Sequence, residues 1–564
     1  MRLQFDFKDQ SYCFDRPSKI IKTHCLSEVI RCLSQVEMLV NQGSYAAGFI
    51  AYEAASAFQK CLQTHVKGEL PLLWFALFDK VTKFPSVSVQ NNIKFANWEP
   101  NVGWEEYQQN IAAIKNYIAE GHTYQVNYTL KMVSDFVGDP YSFYLHLLRA
   151  QRASYSAYLE TEEFKILSAS PELFFEINGC TIKTKPMKGT SPRGLTLAED
   201  NINKNILKNS KNKSENLMIT DLLRNDLGRI AQQGSIKVSS LFEVEKYPTV
   251  WQLTSTIEAQ LKEQTSLCDI FEALFPCGSI TGAPKIKTME LIKTLEKNPR
   301  GVYCGALGLI TPLQKMLFSV PIRTITIQNK QATYGVGGGI TWDSTSKDEY
   351  EEIKHKTKVL DRPPIPKHLL ETLLLNEGIY FLYDKHLKRL FDSADFFDFP
   401  KPVEKVTSHL KKLLQVHTSG KWKIRLLLDG KGEIFSEITP VPTTSKTLTA
   451  TWSNYPVHSY NVFLYHKTTE REFYPKVTLE KEALLYNEKE EITEFVNGNV
   501  LLLHDYRWLT PKLSCGVLNG TMRQQLIEEG KVKEAIIYKK DITNTSKLVF
   551  INSVRGWCPV LWKN

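Results

Sequence analysis

A chain of 564 residues with 42% hydrophobic and 23% charged residues has ample apolar material for packed cores. That excludes a disordered or fibrous polypeptide and suggests about three or four domains at roughly 150 residues each. The formal net charge of +9 suits anionic substrates, but the lysines are spread out; the densest stretch, Lys204–Lys213, lacks stacking aromatics and is expected to be a solvated loop rather than a nucleic-acid patch.

The cysteines form no CxxC pair, and the start MRLQFDFKDQ has no apolar stretch of a secretory signal. No apolar run approaches the ~20 residues that span a bilayer, so a reducing, cytoplasmic setting is expected. In chain order, Tyr107, Ile111, Ile114 and Ile118 recur at helical spacing, with Gly121 as the stop. From Tyr155 to Ile177 the alternation around Glu160–Glu163 predicts a hairpin, with Ser170-Pro171-Glu172-Leu173-Phe174 on its return strand. Lys185-Pro186-Met187-Lys188-Gly189-Thr190 reads as a loop whose glycine allows close backbone approach. Glu215 follows Ser214 and is placed in a first helical turn, where a carboxylate favours the dipole. Short strands run from Gly301 to Trp342 and end in Gly337-Gly338-Gly339. Ser346 with Glu349 then has the form of a capping box, which alone would account for that glutamate. Strands in runs flanked by helices point to α+β layering. The prolines of 361–366 cannot continue a helix, so this linker divides a domain 1–360 from a smaller domain 367–564. Beyond it, a helix around His386–Phe397 precedes a strand at Lys423–Leu428.

Singly, these segments all have ordinary structural readings. Their joint order resembles that of the chorismate-utilising enzymes over most of residues 100–360. The resemblance includes Gly121-x-x-Tyr124-Gln125-x-Asn127, Ile280-Thr281-Gly282-Ala283-Pro284-Lys285, Arg300-Gly301-x-Tyr303-x-Gly305 and Ile322-Arg323-Thr324. It implies that family's fold, chorismate as substrate and Mg²⁺ as cofactor. Glu215, Glu349 and Glu352 would hold the ion against a substrate carboxylate, the last two sharing a helix face through their i,i+3 spacing. Arg323 and Lys356 would face the substrate's carboxylates, helped by amides near Gly337, Gly338 and Gly339. Tyr303, Thr190 and Lys285 would contribute to the same binding site, and Glu172 would be the general acid/base near the departing hydroxyl.

Within that family, Pro186-Met187-Lys188-Gly189-Thr190 resembles the Pro-Ile-Lys-Gly-Thr segment of the aminodeoxychorismate synthase component I branch, where the lysine is a nucleophile. In the anthranilate branch the position is typically alanine. If Lys188 adds at C2 and expels the C4 hydroxyl, ammonia can add at C4 and expel the lysine. The amine must be neutral, which burial beside cations such as Arg323 would favour. Gln252 stands where the anthranilate branch has a histidine and cannot act as an acid or base near neutral pH, so pyruvate elimination is expected in a separate step. No segment resembles the family's glutaminase, so a separate glutamine amidotransferase is implied as the ammonia source.

Residues 367–564 carry His386-x-x-Arg389-Leu390-x-x-Ser393-Ala394, His466-Lys467-Thr468-Thr469-x-Arg471, Thr493-Glu494-x-x-x-Asn497-x-Asn499 and Leu518-Asn519-Gly520-Thr521-Met522-Arg523. This order resembles the class IV pyridoxal-phosphate enzymes, which include aminodeoxychorismate lyase, and implies an α/β domain of that type. Lys467 would join the cofactor and shuttle the proton, and Glu494 would pair with the pyridine nitrogen. Arg389 would hold the phosphate with amides near Gly520 and Thr521, where a helix begins. Together the two resemblances imply a bifunctional enzyme that makes 4-aminobenzoate, a folate precursor. The alternative is an anthranilate-type chorismate enzyme with a non-catalytic C-terminal binding domain.

Overall fold

In the strand Leu73–Phe78 every residue is buried, yet neighbours serve different cores. Leu73, Phe75 and Leu77 point to one side, and Trp74, Ala76 and Phe78 to the other. Such a strand needs cover on both faces, because successive side chains point oppositely. The computed structural model describes all residues except 9, 67, 84–96, 314, 358–359, 361–364, 442–446, 544 and 564. Most of the expected linker, 361–364, therefore lies outside the described residues. The chain forms two compact units: Met1–Pro192 with Lys204–Pro364, and Arg193–Asn203 with Ile365–Asn564.

In the first unit a nine-stranded and a ten-stranded sheet face each other. Phe5, Leu159 and Ile166 from one sheet meet Phe49, Trp74 and Leu307 from the other. Fully burying each such side chain stabilises the fold by about 1.5–3 kcal/mol. Helices cover both outer faces. Val29–Asn41, Ser210–Gly228 and Leu267–Leu274 pack on the ten-stranded sheet, and Trp104–Ala119, Pro140–Gln151 and Lys285–Leu295 on the nine-stranded one. The helix Trp104–Ala119 buries the expected Tyr107, Ile111 and Ile114, and Gly121 follows it with φ +76.

The hairpin is present as Tyr155–Glu160 and Lys165–Ser170, with Tyr155 opposite Ser170. Glu172 is not on its return strand. The chain leaves the first sheet at Ser170 and enters the second at Leu173, so Glu172 lies in the crossing. The segment read as a loop is an edge strand, Met187–Pro192, paired with Val250–Gln260. Its register shifts between Met187 and Thr190, and Gly189 has φ +90, a bulge that glycine adopts without strain. The basic stretch is mostly helical rather than a loop: Lys204 lies in the last turn of the helix Leu197–Ile206, Lys208 in the short turn that follows, and Lys211 and Lys213 open the helix Ser210–Gly228.

The second unit has a four-stranded antiparallel sheet around His368–Asn376 and Lys421–Asp429, covered by the helices Tyr383–Phe397 and Val403–Val416. An eight-stranded sheet follows, mixing parallel and antiparallel pairs. The segment Arg193–Asn203 is built into this unit. Arg193 pairs with Asp200 at 2.6 Å in a buried ion pair and donates to the Phe396 carbonyl at 2.9 Å, and the Leu195 carbonyl lies 3.1 Å from His466 Nε2. No described helix is long and apolar enough to cross a membrane.

Candidate active sites

The first site is assembled by the strand Gln331–Ile340, which runs antiparallel to Gln125–Asp135 along its whole length. Its other neighbour, Thr324–Gln328, pairs only as far as Tyr334, so beyond that residue no described strand holds that edge. The Gly337 carbonyl there accepts from Lys356 Nζ at 2.7 Å. A residue's N–H and C=O share an edge, so the amides of Gly337 and Gly339 face this open side and Gly338 faces the partner strand. At Gly337 glycine is required by close approach, because a Cβ there would stand 2.2 Å from the Tyr128 carbonyl; at the next two positions it leaves room for the site's side chains. A Cβ on Gly339 would stand 2.6 Å from Lys188 Nζ, and one on Gly338 would stand 2.9 Å from Glu349 Oε2.

The bulge turns Lys188 towards Gly339. Asn216 fastens its strand to the helix Ser210–Gly228 by donating to the Leu253 carbonyl at 3.1 Å and the Lys188 carbonyl at 3.4 Å. This helix starts at Asn209, capped by its own side chain, so Glu215 lies well past the first turn and the dipole reading fails for it. The capping reading of Glu349 fails as well. Thr345 and Asp348 cap the helix Ser346–Thr357, and Glu349 instead accepts from Ser344 Oγ at 2.6 Å. Lys356 pairs with Glu352 at 2.6 Å.

Burial first, and then Lys356, push the Lys188 amine below its ordinary value, against the pull of Glu215, Glu172 and Glu352. The neighbouring cation that acts on it is Lys356 rather than the expected Arg323. Glu172, 3% exposed, is pushed up to about 7 by burial, although Ser279, Lys188 and the Met187 amide all favour its charged form. One Glu172 oxygen and both polar atoms of the Gln125 amide are buried without a hydrogen-bond partner. Such orphans beside an amine point to a polar ligand that completes them.

Burial and neighbouring carboxylates also raise Glu215 and Glu349, with Glu352 acting on both. Among the described residues, no group of three metal-ligating side chains stands close enough to hold an ion unaided. Mg²⁺ takes one or two carboxylates directly and completes its shell with substrate and water, so the desolvated Glu215 and Glu349, with the more exposed Glu352 beside them, are hard-oxygen donors that fit it. Arg323 is held in left-handed backbone with φ +50; burial lowers its pKa, and its Nη1 lies 3.5 Å from Gln151 Oε1. Tyr303 lays its ring against Gly335. Thr190 donates to Gln252 at 3.1 Å, and Lys285 is balanced by Asp226 at 2.7 Å.

The second site lies in the second unit. Lys467 follows the short turn Val462–Leu464, and its carbonyl accepts from the Leu370 amide at 2.9 Å. Burial, then Arg389 and Arg471, bring its amine down to about 8. Glu494, on the strand Ile492–Phe495, is pushed up to about 8 by burial. Its two oxygens accept from Tyr474 at 3.2 Å, and from Asn499 at 3.0 Å with the Leu518 amide at 3.3 Å. Gly520 caps the helix Thr521–Glu528. Arg389 forks onto Glu371 at 2.8 and 2.7 Å, and its remaining arm donates to the Asn519 carbonyl at 3.3 Å. His386 bridges Glu371 at 2.7 Å and Thr521 at 3.2 Å. A buried amine, an oriented carboxyl and a glycine-capped helix N-terminus beside Arg389 fit a phosphorylated pyridine aldehyde. Gln125, Ser279, Ser344, Glu371, His386 and Tyr474 were not singled out as site residues in the sequence, although Gln125 and His386 stand within the motifs quoted for it.

A family profile described as chorismate binding enzyme matches residues 3–362, and one described as amino-transferase class IV matches 368–561. Aminodeoxychorismate synthase component 1 of Escherichia coli is 43% identical over 262 residues, 46% of this chain and 58% of that protein. Anthranilate synthase component 1 of Aquifex aeolicus is 34% identical over 285 residues, 50% of this chain and 58% of that one. The chain thus spans well under two thirds of these relatives' length. The crystal structure of anthranilate synthase component I from Streptococcus pneumoniae covers 64% of this chain and 90% of its own, with TM-score 0.53 and 22% identity, a likeness of fold.

Proposed function

The chain belongs to the chorismate binding enzymes, and on that premise we propose that it aminates chorismate at C4 to give 4-amino-4-deoxychorismate, and that its second unit then releases pyruvate to leave 4-aminobenzoate. The observation that carries the first step is Lys188, a partly buried amine with a depressed pKa beside a protonatable Glu172 and an orphaned Gln125 amide. Neutral Lys188 adds at C2 through its lone pair, the two conjugated ring double bonds shift through C1, C6 and C5, and the C4 hydroxyl leaves as water with a proton from Glu172. Ammonia adds at C4, both double bonds shift back, Lys188 departs with its electron pair restored, and the new C4 nitrogen returns a proton to Glu172. Glu172 near pKa 7 is poised for both directions of proton transfer. Lys356 and the Gly337 and Gly339 amides face substrate carboxylate. Glu215, Glu349 and Glu352 would hold Mg²⁺, which when bound neutralises the repulsion between these carboxylates and an anionic substrate. The "component 1" in the name of the E. coli relative supports a separate ammonia-supplying glutaminase.

In the second unit Lys467, Glu494 and the Leu518–Thr521 turn would hold pyridoxal phosphate, which supplies an electron sink when bound. Lys467, brought down to about 8, exchanges protons readily near neutral pH. Tyr474 and Asn499 fix the Glu494 carboxyl, which would pair with the pyridine nitrogen of the bound cofactor. Product identity tests the whole reading. Chorismate, Mg²⁺ and ammonium should yield the 4-amino product, and added pyridoxal phosphate should convert it to 4-aminobenzoate. Anthranilate as the product would overturn it.

A further inference from the structure

We propose that His386 takes up a proton when a phosphate group binds at the Leu518–Thr521 turn, and so sets the direction in which the Thr521 hydroxyl donates. This rests on reading that turn as the cofactor's phosphate site. Glu371 is 1% exposed and receives both the Arg389 fork and His386 Nδ1. It is held down to about 2 by Arg389 and His386 despite its burial, so it is a carboxylate and only accepts. His386 Nδ1, 2.7 Å away, must therefore carry a hydrogen. In a neutral ring the other nitrogen, Nε2, then holds a lone pair. Thr521, 3.2 Å from it, has to spend its hydroxyl hydrogen on the ring and turns only lone pairs outward.

That arrangement repels an anion. For Thr521 to donate to a phosphate oxygen, Nε2 must itself bear a hydrogen and donate to Oγ1. The ring is then an imidazolium clamped between Glu371 and Thr521. Without an anion this state is disfavoured: His386 is fully buried, and Arg389 on its own helix and Lys467 from the neighbouring segment both oppose a third positive charge. Glu371, on the adjoining strand, acts in its favour, but Arg389 already claims it. These forces lower the His386 pKa from its ordinary value of 6.5. A dianionic phosphate at the turn supplies the missing negative charge, so binding draws the proton from solvent. The sign follows from linkage: a group protonated only in the bound state weakens binding as pH rises, by about tenfold per unit above the free-state pKa and below the bound-state one.

The probe is pyridoxamine 5′-phosphate, which lacks an aldehyde and cannot condense with Lys467. It is titrated calorimetrically into the cofactor-free full-length chain at pH 7 and pH 8, in phosphate-free buffers of different ionisation enthalpy. Wild type should take up about one proton more per site than His386→Gln, and its Kd should rise about tenfold more steeply between the two pH values. Should His386→Gln fail to fold, Thr521→Val decides, because the ring then has no hydroxyl to redirect and the uptake should fall. Binding with the same proton uptake in wild type and variant overturns the role of His386 and leaves the phosphate site standing. No binding by wild type overturns the site and the proposal together.

Discussion

Replacing Glu172 by Gln should stabilise the first unit at alkaline pH while crippling its chemistry. Burial raises the carboxyl from 4.5 to about 7, roughly 2.5 units, and each unit is worth about 1.4 kcal/mol. Between pH 4.5 and 7 the native state keeps a proton that the unfolded chain has lost, so native stability falls as pH rises through that window. The loss is about 1 kcal/mol at pH 5 and about 3 kcal/mol at pH 8. Gln is isosteric, can still accept from Ser279 and the Met187 amide, and carries no charge to desolvate. With an unfolding entropy of about 2.1 cal/mol/K per residue over roughly 350 residues, 3 kcal/mol corresponds to about 4 °C in Tm. Calorimetric unfolding of wild type and Glu172→Gln should therefore show a gain of about 4 °C at pH 8 that shrinks to about 1 °C at pH 5. Chorismate amination should fall by about 10²–10⁴, the usual worth of a positioned acid/base. A variant equally stabilised at both pH values, or one that still aminates at the wild-type rate, would refute the reasoning.

Lys188→Ala should lose the para-amino product by at least about 10³-fold in a chromatographic assay with ammonium, because no nucleophile remains to direct the addition; undiminished 4-aminobenzoate would count against double displacement. Gly339→Ala should keep the fold but lose about 10²-fold in amination, since its new carbon would stand 2.2 Å from Gln125 Nε2 and 2.6 Å from Lys188 Nζ and push both away. Lys467→Ala should abolish the cofactor's visible absorbance and pyruvate release, leaving chorismate consumption with ammonium within about twofold of wild type; equal loss of both activities in a folded variant would mean that the two steps share one site.

Local patterns were legible wherever burial is periodic. The helix Trp104–Ala119 and the hairpin ending at Ser170 follow from spacing alone. What the sequence left ambiguous was decided by neighbours distant along the chain. Thr345-Ser346-Lys347-Asp348-Glu349 contains two overlapping cap patterns, and only the structure assigns the cap to Thr345 and Asp348 and frees Glu349 for the site. Lys188 was identified from its motif, but the cation beside it is Lys356. A chain cannot announce which lysine its sheets bring alongside. Glu371 stands outside the quoted motifs, and His386 opens one of them without a role read for it. Their meaning comes from Arg389 and Thr521, brought to them by the packing of a strand and two helices.

The segment Arg193–Asn203 has a consequence for the order of synthesis. Its partners in the second unit are encoded far downstream, and His466, which meets the Leu195 carbonyl, lies 271 residues later. At about 5–20 residues per second, translation reaches that histidine roughly 15–55 s after Leu195 has been made. Strand Met187–Pro192 and helix Ser210–Gly228, on either side of the segment, can join the first unit during that interval. Arg193 and Asp200 must meanwhile remain hydrated, because the Phe396 carbonyl that receives Arg193 does not yet exist. The second unit is therefore complete only when its earliest piece is retrieved from the middle of an already translated domain. A gene fragment beginning at the proline-rich linker would encode everything in that unit except the piece made first.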